Sequence, residues 1–400
     1  MLVEFSVKNF RSIKNLQVVS FVATNINGSS ETNSNIVSDA GERLLKSVGI
    51  YGANASGKSN VIKAMELFFQ TVAFSSMDTS LLYRLCQPHR STLDEGSFFQ
   101  VVFTLNGKKY RYGLLAASTL KESMATSASA EAIIVNEWLF EQNSEGEDVV
   151  FIRQHNSILE ACMPEMKVKV DAAGKTSLLA QLHASNVNPV TTDIFALFRN
   201  IAASTVSYKH FSMACFKNES MKRDMLELLD SFGVHYEDMK IIGEIENSSN
   251  RVPFEKIRLR KTIGGKCYWM NLGYDESEGT RRLFEFAGLL IMIEHVGDAF
   301  VFFVDEIDNN FHPSLLIQLV NFVNSSHNSR SQLVFTSHDT NLLSPKVLRR
   351  DQIYFTEKQM DDSTKLYSLA DLRGIKDDSD FAKQYLAGFY GAKPLLHTFE

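Results

Sequence analysis

The chain of 400 residues is long enough for two or three compact units, at least one with a large core. Hydrophobic residues make up 44% and charged residues 22%, which excludes a disordered or fibrous protein. The formal net charge of −6 excludes gripping nucleic acid by bulk charge, so any such contact must be a local patch. The longest apolar run, Ala287 to Ile293, falls far short of the roughly 18 residues that would suggest a membrane span. The opening Met1 to Phe10 alternates apolar and polar residues as a strand does, unlike a signal peptide. Cys86, Cys162, Cys215 and Cys267 are scattered with no CxxC pair, which argues against a zinc ribbon or disulfide framework. The expectation is a soluble, cytoplasmic protein with no membrane association.

In chain order, strands are expected at Leu2–Phe10 and Val18–Thr24, followed by a polar surface loop over Asn25–Asn35. A short apolar strand at Ser47–Tyr51 leads into a glycine-bearing turn, and Asn60–Val72 carries apolar residues at helical spacing. From Phe98 the period changes to two. Phe99, Val101 and Phe103 alternate, Asn106-Gly107 signals a hairpin, and Tyr110–Leu115 reads as the return strand. Ile133–Phe140 and Val149–Ile152 continue the pattern, and Ser118–Ala130 reads as a loop or short helix.

Residues 176–240 read as mostly helical, and Val252–Trp269 returns to strand-like alternation. A helix at Thr280–His295, a strand at Phe300–Val304, a helix at Pro313–Asn324 and strands at Leu333–Thr336 and Gln352–Phe355 complete the chain. The expected class is α/β, a mixed sheet with flanking helices, an antiparallel β lobe and a helical insertion. The expected units are 1–75, 76–175, 176–250 and 251–400.

Gly52-Ala53-Asn54-Ala55-Ser56-Gly57-Lys58-Ser59 matches GxxxxGK[ST] in full, between an apolar strand and an amphipathic helix that starts near Asn60. Glycines let backbone N–H groups curl around phosphate oxygens. Lys58 would reach the β/γ-phosphates of ATP, Ser59 would ligate Mg2+, and the helix N-terminus adds a favourable dipole. The strand Phe300–Val304 ends in Asp305-Glu306, which places one acid at the Mg2+ and a second as base for an attacking water. His338 follows another apolar strand and faces the ligand crevice, where it would bond the γ-phosphate or the water. Ser277-Glu278-Gly279-Thr280 precedes a helix and supplies a hydroxyl and free N–H groups, as an ordinary N-cap also would.

The order and spacing of these motifs resemble the ABC-type ATPase head of the SMC/RecF/OLD-like superfamily. The resemblance implies that Ser277 and Gly279 contact the γ-phosphate of ATP on a second subunit, in a head-to-tail dimer. Asn9-Phe10-Arg11-Ser12 is similar to the family's N-terminal strand end, whose basic residue, here Arg11, lies near the nucleotide. Phe311-His312-Pro313 resembles the family's LHP, with Phe in place of Leu, and Gln87 and Gln100 are both candidates for its Q-loop.

Asp351–Phe355 and Tyr385–Pro394 resemble segments of bacterial stand-alone ATPases of the abortive-infection type, RloA/AbiL-like and AriA-like. That resemblance implies an anti-phage sensor or scaffold that controls a nuclease, TOPRIM or toxin effector encoded nearby, with DNA or a phage component as trigger. Only 62 residues follow His338, too few for a TOPRIM domain, so no nuclease activity in cis is expected. The alternative is a RecF-like DNA-repair ATPase.

Among secondary features, Lys256, Arg258 and Arg260 form one basic strand face beside Lys261, read as solvated or as a nucleic-acid or partner contact. Arg281 and Arg282 follow the signature, where one would sense phosphate across a dimer. Asp377–Asp380 reads as an exposed helix start.

Overall fold

The computed structural model describes residues 1–26, 30–118, 131–167, 174–207, 211–212, 214–243, 251–296, 300–309, 311–328 and 330–393. The chain opens with β1 (Leu2–Lys8), β2 (Gln17–Ser20), a hairpin of β3 (Ile36–Asp39) and β4 (Glu42–Leu45), and β5 (Ser47–Gly52). Helices α1 (Lys58–Phe74) and α2 (Ser80–Leu85) precede β6 (Ser97–Leu105), β7 (Lys108–Ser118), β8 (Ala132–Gln142), β9 (Glu147–Gln154) and β10 (Ser157–Ala161). Then come α3 (Leu178–Ser185), α4 (Pro189–Ser207), β11 (Phe211–Ser212), α5 (Ala214–Lys217) and α6 (Glu219–Ser231). Strands β12 (Asp238–Ile241), β13 (Arg251–Val252), β14 (Ile257–Ile263) and β15 (Lys266–Asn271) lead to α7 (Glu278–Val296). The last elements are β16 (Val301–Val304), α8 (Pro313–Asn324), β17 (Gln332–Thr336), β18 (Ile353–Lys358), β19 (Thr364–Ser368) and α9 (Phe381–Leu386).

Two sheets organise these elements. One is antiparallel with strand order β10-β9-β8-β7-β6-β1-β2. The other has order β16-β17-β5-β18-β19, parallel except for β19. Helix α1 lies between them, which explains why twelve of its 17 residues are buried and its sequence is apolar on more than one face. Phe68 packs on Phe5 and Phe99 of the antiparallel sheet, with ring centroids 5.6 and 6.2 Å away. Its neighbour Phe69 stacks at 6.1 Å on Phe303 of the parallel sheet. The opposite side of the parallel sheet is covered by α7 and α8, through Phe286, Leu290, Leu316 and Val320 against Phe302, Leu333 and Phe335.

The α/β class expected from the sequence, with a mixed sheet and an antiparallel lobe, is the one observed. Packing divides the chain differently from the boundaries at 75/76 and 175/176. Strand β1 pairs with β6, so the first residues complete the antiparallel lobe. Helices α3 and α4 join the core around α1, whereas α5 and α6 pack with β12, β14 and α7 in a smaller lobe. A buried carboxylate explains the first docking. Glu137 accepts from the Leu178 and Leu179 amides at the start of α3, at 2.6 and 3.0 Å, and pairs with the equally buried Arg153 at 3.2 Å.

The polar stretch 25–35 is not simply a surface loop; its residues 27–29 lie outside those described. Ser30–Asn35 forms a 3₁₀ turn in which Thr32 and Asn35 are buried. The Asn35 amide reaches Val347 O at 3.0 Å and Gln352 Oε1 at 2.7 Å, which satisfies it inside the protein. Residues 119–130 of the expected loop after β7, and Pro394 of the C-terminal string, also lie outside the described residues. Asp380 caps α9 by accepting from the Lys383 amide at 2.9 Å, as the acidic helix start implied, while Asp377 pairs with Arg350 at 2.6 Å.

Candidate functional site

The motif-bearing turns meet at the C-terminal ends of β16, β17 and β5, neighbours in the parallel sheet and the usual ligand side of such sheets. Gly52 ends β5 and Lys58 begins α1, so residues 53–57 are the turn between them. Glycine is demanded at its entry and at its end. Gly52 has φ +148°, and a Cβ there would lie 2.5 Å from Thr356 O; Gly57 has φ +105°, and a Cβ would lie 2.0 Å from Thr364 Oγ1. The turn is held from outside by β18 and β19. Ser56 Oγ lies 2.6 Å from Thr356 Oγ1, and Thr364 Oγ1 donates to Ser56 O at 3.0 Å. Asn54 and Ala55 are exposed and Ala53 half-buried at the mouth.

Lys58 is buried, and its Nζ donates to Gly52 O at 2.9 Å and Ala53 O at 3.0 Å. Burial pulls its pKa below that of an ordinary lysine, while Asp305, Glu306 and Asp308 pull it back up. Ser59 Oγ donates to Asp305 Oδ1 at 3.1 Å. The same Asp305 oxygen accepts from Thr336 Oγ1 at 2.6 Å, and Thr336 Oγ1 accepts from the Glu306 amide at 2.7 Å. One string therefore joins P-loop, acidic pair and β17. Glu306 sits at φ +52° with an exposed side chain, a left-handed backbone that turns the chain sharply after Asp305. Among the described residues, no cluster of three or more His, Cys, Asp or Glu side chains suits a metal. A hydroxyl and a carboxylate 3.1 Å apart at the mouth of a P-loop do fit Mg2+, which takes hard oxygen donors and completes its shell with phosphate and water.

The N-terminal corner also belongs here. Ser12 Oγ lies 2.7 Å from Thr364 Oγ1 and accepts from Asn60 Nδ2 at 2.7 Å, so the first turn of the chain is bound to the start of α1. Arg11, at φ +51°, donates through Nε to Gln87 Oε1 at 2.8 Å, and burial together with Arg84 lowers its pKa. Gln87 is thus brought to this corner. Gln100 instead accepts from Arg111 and Trp138 within the antiparallel sheet, at 3.1 and 3.3 Å.

His338 is exposed two residues beyond β17, and its amide donates to Asp308 Oδ1 at 3.2 Å. Ser277 acts as an N-cap, its Oγ accepting from the Thr280 amide at 3.1 Å, and Gly279 lies in the first turn of α7. The link from this helix to the acidic pair is Arg282, whose Nη2 donates to Glu306 O at 2.9 Å. His312 caps α8 through its side chain, and Phe311 meets Phe286 edge-on at 5.2 Å.

Sequence reasoning missed Thr336, Thr356 and Thr364 as parts of the site. The basic face of β14 is partly committed: Arg260 pairs with Glu237 at 3.2 Å and Arg258 donates to Glu255 O at 2.8 Å, while Lys240 lies 3.8 Å over the Trp269 ring. Among the described residues, no helix is long and apolar enough to cross a membrane.

Comparison with known proteins places the chain in a family. The family model described as "AAA domain, putative AbiEii toxin, Type IV TA system" matches residues 47–153 and 199–344, more than half of the chain. No curated protein sequence matches it. Among solved structures, an SMC head bound to the C-terminal winged-helix domain of ScpA is similar at 11% identity and a TM-score of 0.45, over 92% of this chain and 97% of that one. The SMC head domain from Thermotoga maritima is similar at 14% identity and a TM-score of 0.37, over 92% and 98%. With its P-loop, acidic strand end and buried Lys58 inside the matched segments, the chain belongs to this AAA-domain family.

Proposed function

We propose that the chain is an ABC-type ATPase head that binds and hydrolyses ATP, closes head to tail with a second copy, and controls a separate effector. The observation that carries this reading is the hydrogen-bonded string Ser59–Asp305–Thr336–Glu306 at the mouth of the P-loop. Lys58 would exchange its two carbonyl partners for β/γ-phosphate oxygens, a charge-assisted contact in a buried setting. Ser59 and Asp305 would hold Mg2+, which supplies positive charge at the γ-phosphate. Glu306, anchored by its backbone with an exposed carboxylate, would take the proton of the attacking water. His338 would bond the same water or the γ-phosphate.

Arg11 would reach the nucleotide from the N-terminal corner. Ser277 and Gly279 would close on ATP held by the other copy, because their bonds in one chain stay within α7. The family description, "putative AbiEii toxin, Type IV TA system", supports a defence setting; within it, the effector would be a nuclease or toxin and the trigger a phage component or DNA. The alternative of a RecF-like DNA-binding ATPase would give a DNA affinity that falls steeply with salt.

The test mixes two inactive variants, Gly279→Asp and Lys58→Ala. In a head-to-tail dimer one composite site carries both lesions and the other pairs an intact P-loop with an intact signature, so part of the ATPase activity returns. No recovery, with mixed dimers confirmed by mass spectrometry, refutes the closure. Co-purification with the products of adjacent genes tests the effector.

A further inference from the structure

We propose that Arg282 is a positioning residue that holds Glu306 from the signature helix of its own chain, so that hydrolysis at one ATP site responds to the nucleotide at the other. The inference rests on the head-to-tail reading above and deepens it by naming the regulation of that site.

Glu306 occupies a left-handed backbone conformation at φ +52°, which a non-glycine residue keeps only when its surroundings fix it. Three hydrogen bonds do so. Its amide donates to Thr336 Oγ1 at 2.7 Å, and its carbonyl accepts from the Asn309 amide at 3.1 Å and from Arg282 Nη2 at 2.9 Å. The first two come from the neighbouring strand and from the turn itself. The third comes from α7, five residues beyond Ser277. The Arg282 guanidinium lies 6.0 Å over Phe286 one turn further on, and Phe286 packs edge-on against Phe311 at 5.2 Å. The guanidinium is therefore carried with the body of the helix. Among the described residues its Nε has no hydrogen-bond partner, whereas its Nη2 is satisfied by the Glu306 carbonyl.

A helix moves as a unit. When Ser277 and Gly279 at its start engage the partner copy's ATP, α7 shifts or stiffens, and Arg282 passes that change to the peptide that aims the Glu306 carboxylate at its own ATP. Arg282 thus acts through Glu306 and touches no phosphate. Of the two arginines after the signature, Arg282 is thereby given a role in cis in place of a phosphate sensor across the dimer: its guanidinium lies 2.9 Å from a carbonyl of its own chain.

The test uses the full chain with ATP and Mg2+. Arg282→Ala should bind ATP within about twofold of wild type by calorimetry, yet lose about tenfold or more in kcat, the scale of a misplaced catalytic group. Its rate should also depend less steeply on ATP concentration. Arg282→Gln, whose amide stem is too short to reach the carbonyl, gives the same readout if alanine does not fold. Mixing Arg282→Ala with Lys58→Ala then separates the two roles. The one intact P-loop belongs to the Arg282→Ala chain, so a cis role leaves the mixture no faster than Arg282→Ala alone. A phosphate contact in trans restores activity, because the Lys58→Ala chain supplies the arginine. The Gly279→Asp and Lys58→Ala mixture runs in parallel. Recovery there with none in the Arg282 mixture supports the inference, and recovery in both overturns it. Silence in the Gly279 mixture refutes head-to-tail closure, and the coupling with it. A wild-type kcat for Arg282→Ala, or a loss of ATP affinity in place of kcat, overturns the positioning role whatever the mixtures do.

Discussion

Replacing Thr336 by Val tests whether one buried hydroxyl organises the acidic pair. Valine keeps the shape and burial of the side chain, so no cavity opens; what is lost is the bond to Asp305 at 2.6 Å and the acceptor for the Glu306 amide at 2.7 Å. A hydrogen bond to a carboxylate contributes about 1.5–3 kcal/mol, and leaving an amide unpaired costs about 1–3 kcal/mol. Both groups are only partly buried, so the lower half of each range applies, and the local loss is about 2–4 kcal/mol. Hydrogen exchange by mass spectrometry on the peptide spanning Glu306 reads this directly. Its amide should exchange faster by more than about tenfold, and ATP turnover should fall by a similar factor. Thr336→Ser retains the hydroxyl and should keep wild-type protection and most of the turnover. If the valine variant matches wild type in both measurements, or serine fails as badly as valine, the string through Thr336 does not organise the site.

Three further outcomes follow from the same geometry. Lys58→Ala should lose most ATP affinity in calorimetry while circular dichroism shows the fold intact; binding within twofold of wild type would remove Lys58 from the phosphate site. Glu306→Gln should retain ATP, hydrolyse it at least about a hundredfold more slowly, and associate more strongly with ATP than without it by light scattering. ATP binding should take up a proton at alkaline pH. Burial lowers the Lys58 pKa in the free protein and phosphate charge raises it, so uptake occurs at pH values between the two and fades below the lower one, where Lys58 is charged in both states. Calorimetry in two buffers of different ionisation heat measures it, and Lys58→Ala should abolish it.

What was legible in the sequence is what is local. The P-loop, the acidic strand end and α8 are each written within a dozen or so consecutive residues, where glycine placement and apolar period identify them. Thr336, Thr356 and Thr364 carry no such mark. A lone threonine near a strand end has many ordinary uses, and these three matter only because strand pairing brings β17, β18 and β19 beside β5 and its turn. Strand β19, the antiparallel partner of β18, is hidden because polar Thr364-Lys365 followed by apolar Leu366-Tyr367 breaks the polar–apolar alternation expected of a half-buried strand. Asn35 misled for a related reason. Its composition reads as a solvated loop, yet its partners lie more than 300 residues away. Arg282 was noticed for its place after the signature, but its partner, the carbonyl of Glu306, leaves no trace in side-chain chemistry.

The strand order of the parallel sheet has a consequence for how the protein is made. Strand β5 ends in the P-loop near the beginning of the chain, but its neighbours β17 and β18 are drawn from residues 332–358. At roughly 5–20 residues per second, a ribosome needs about 15–60 s to add the segment that separates them. Throughout that interval the nascent chain carries the complete P-loop motif with no strand on either side of β5, and apolar Val48 and Ile50 lack their buried setting. Premature termination or proteolysis of the nascent chain therefore leaves fragments that contain the nucleotide motif without a nucleotide site. Such fragments expose an unpaired strand, and during synthesis chaperones would be expected to hold the chain until β17 and β18 arrive.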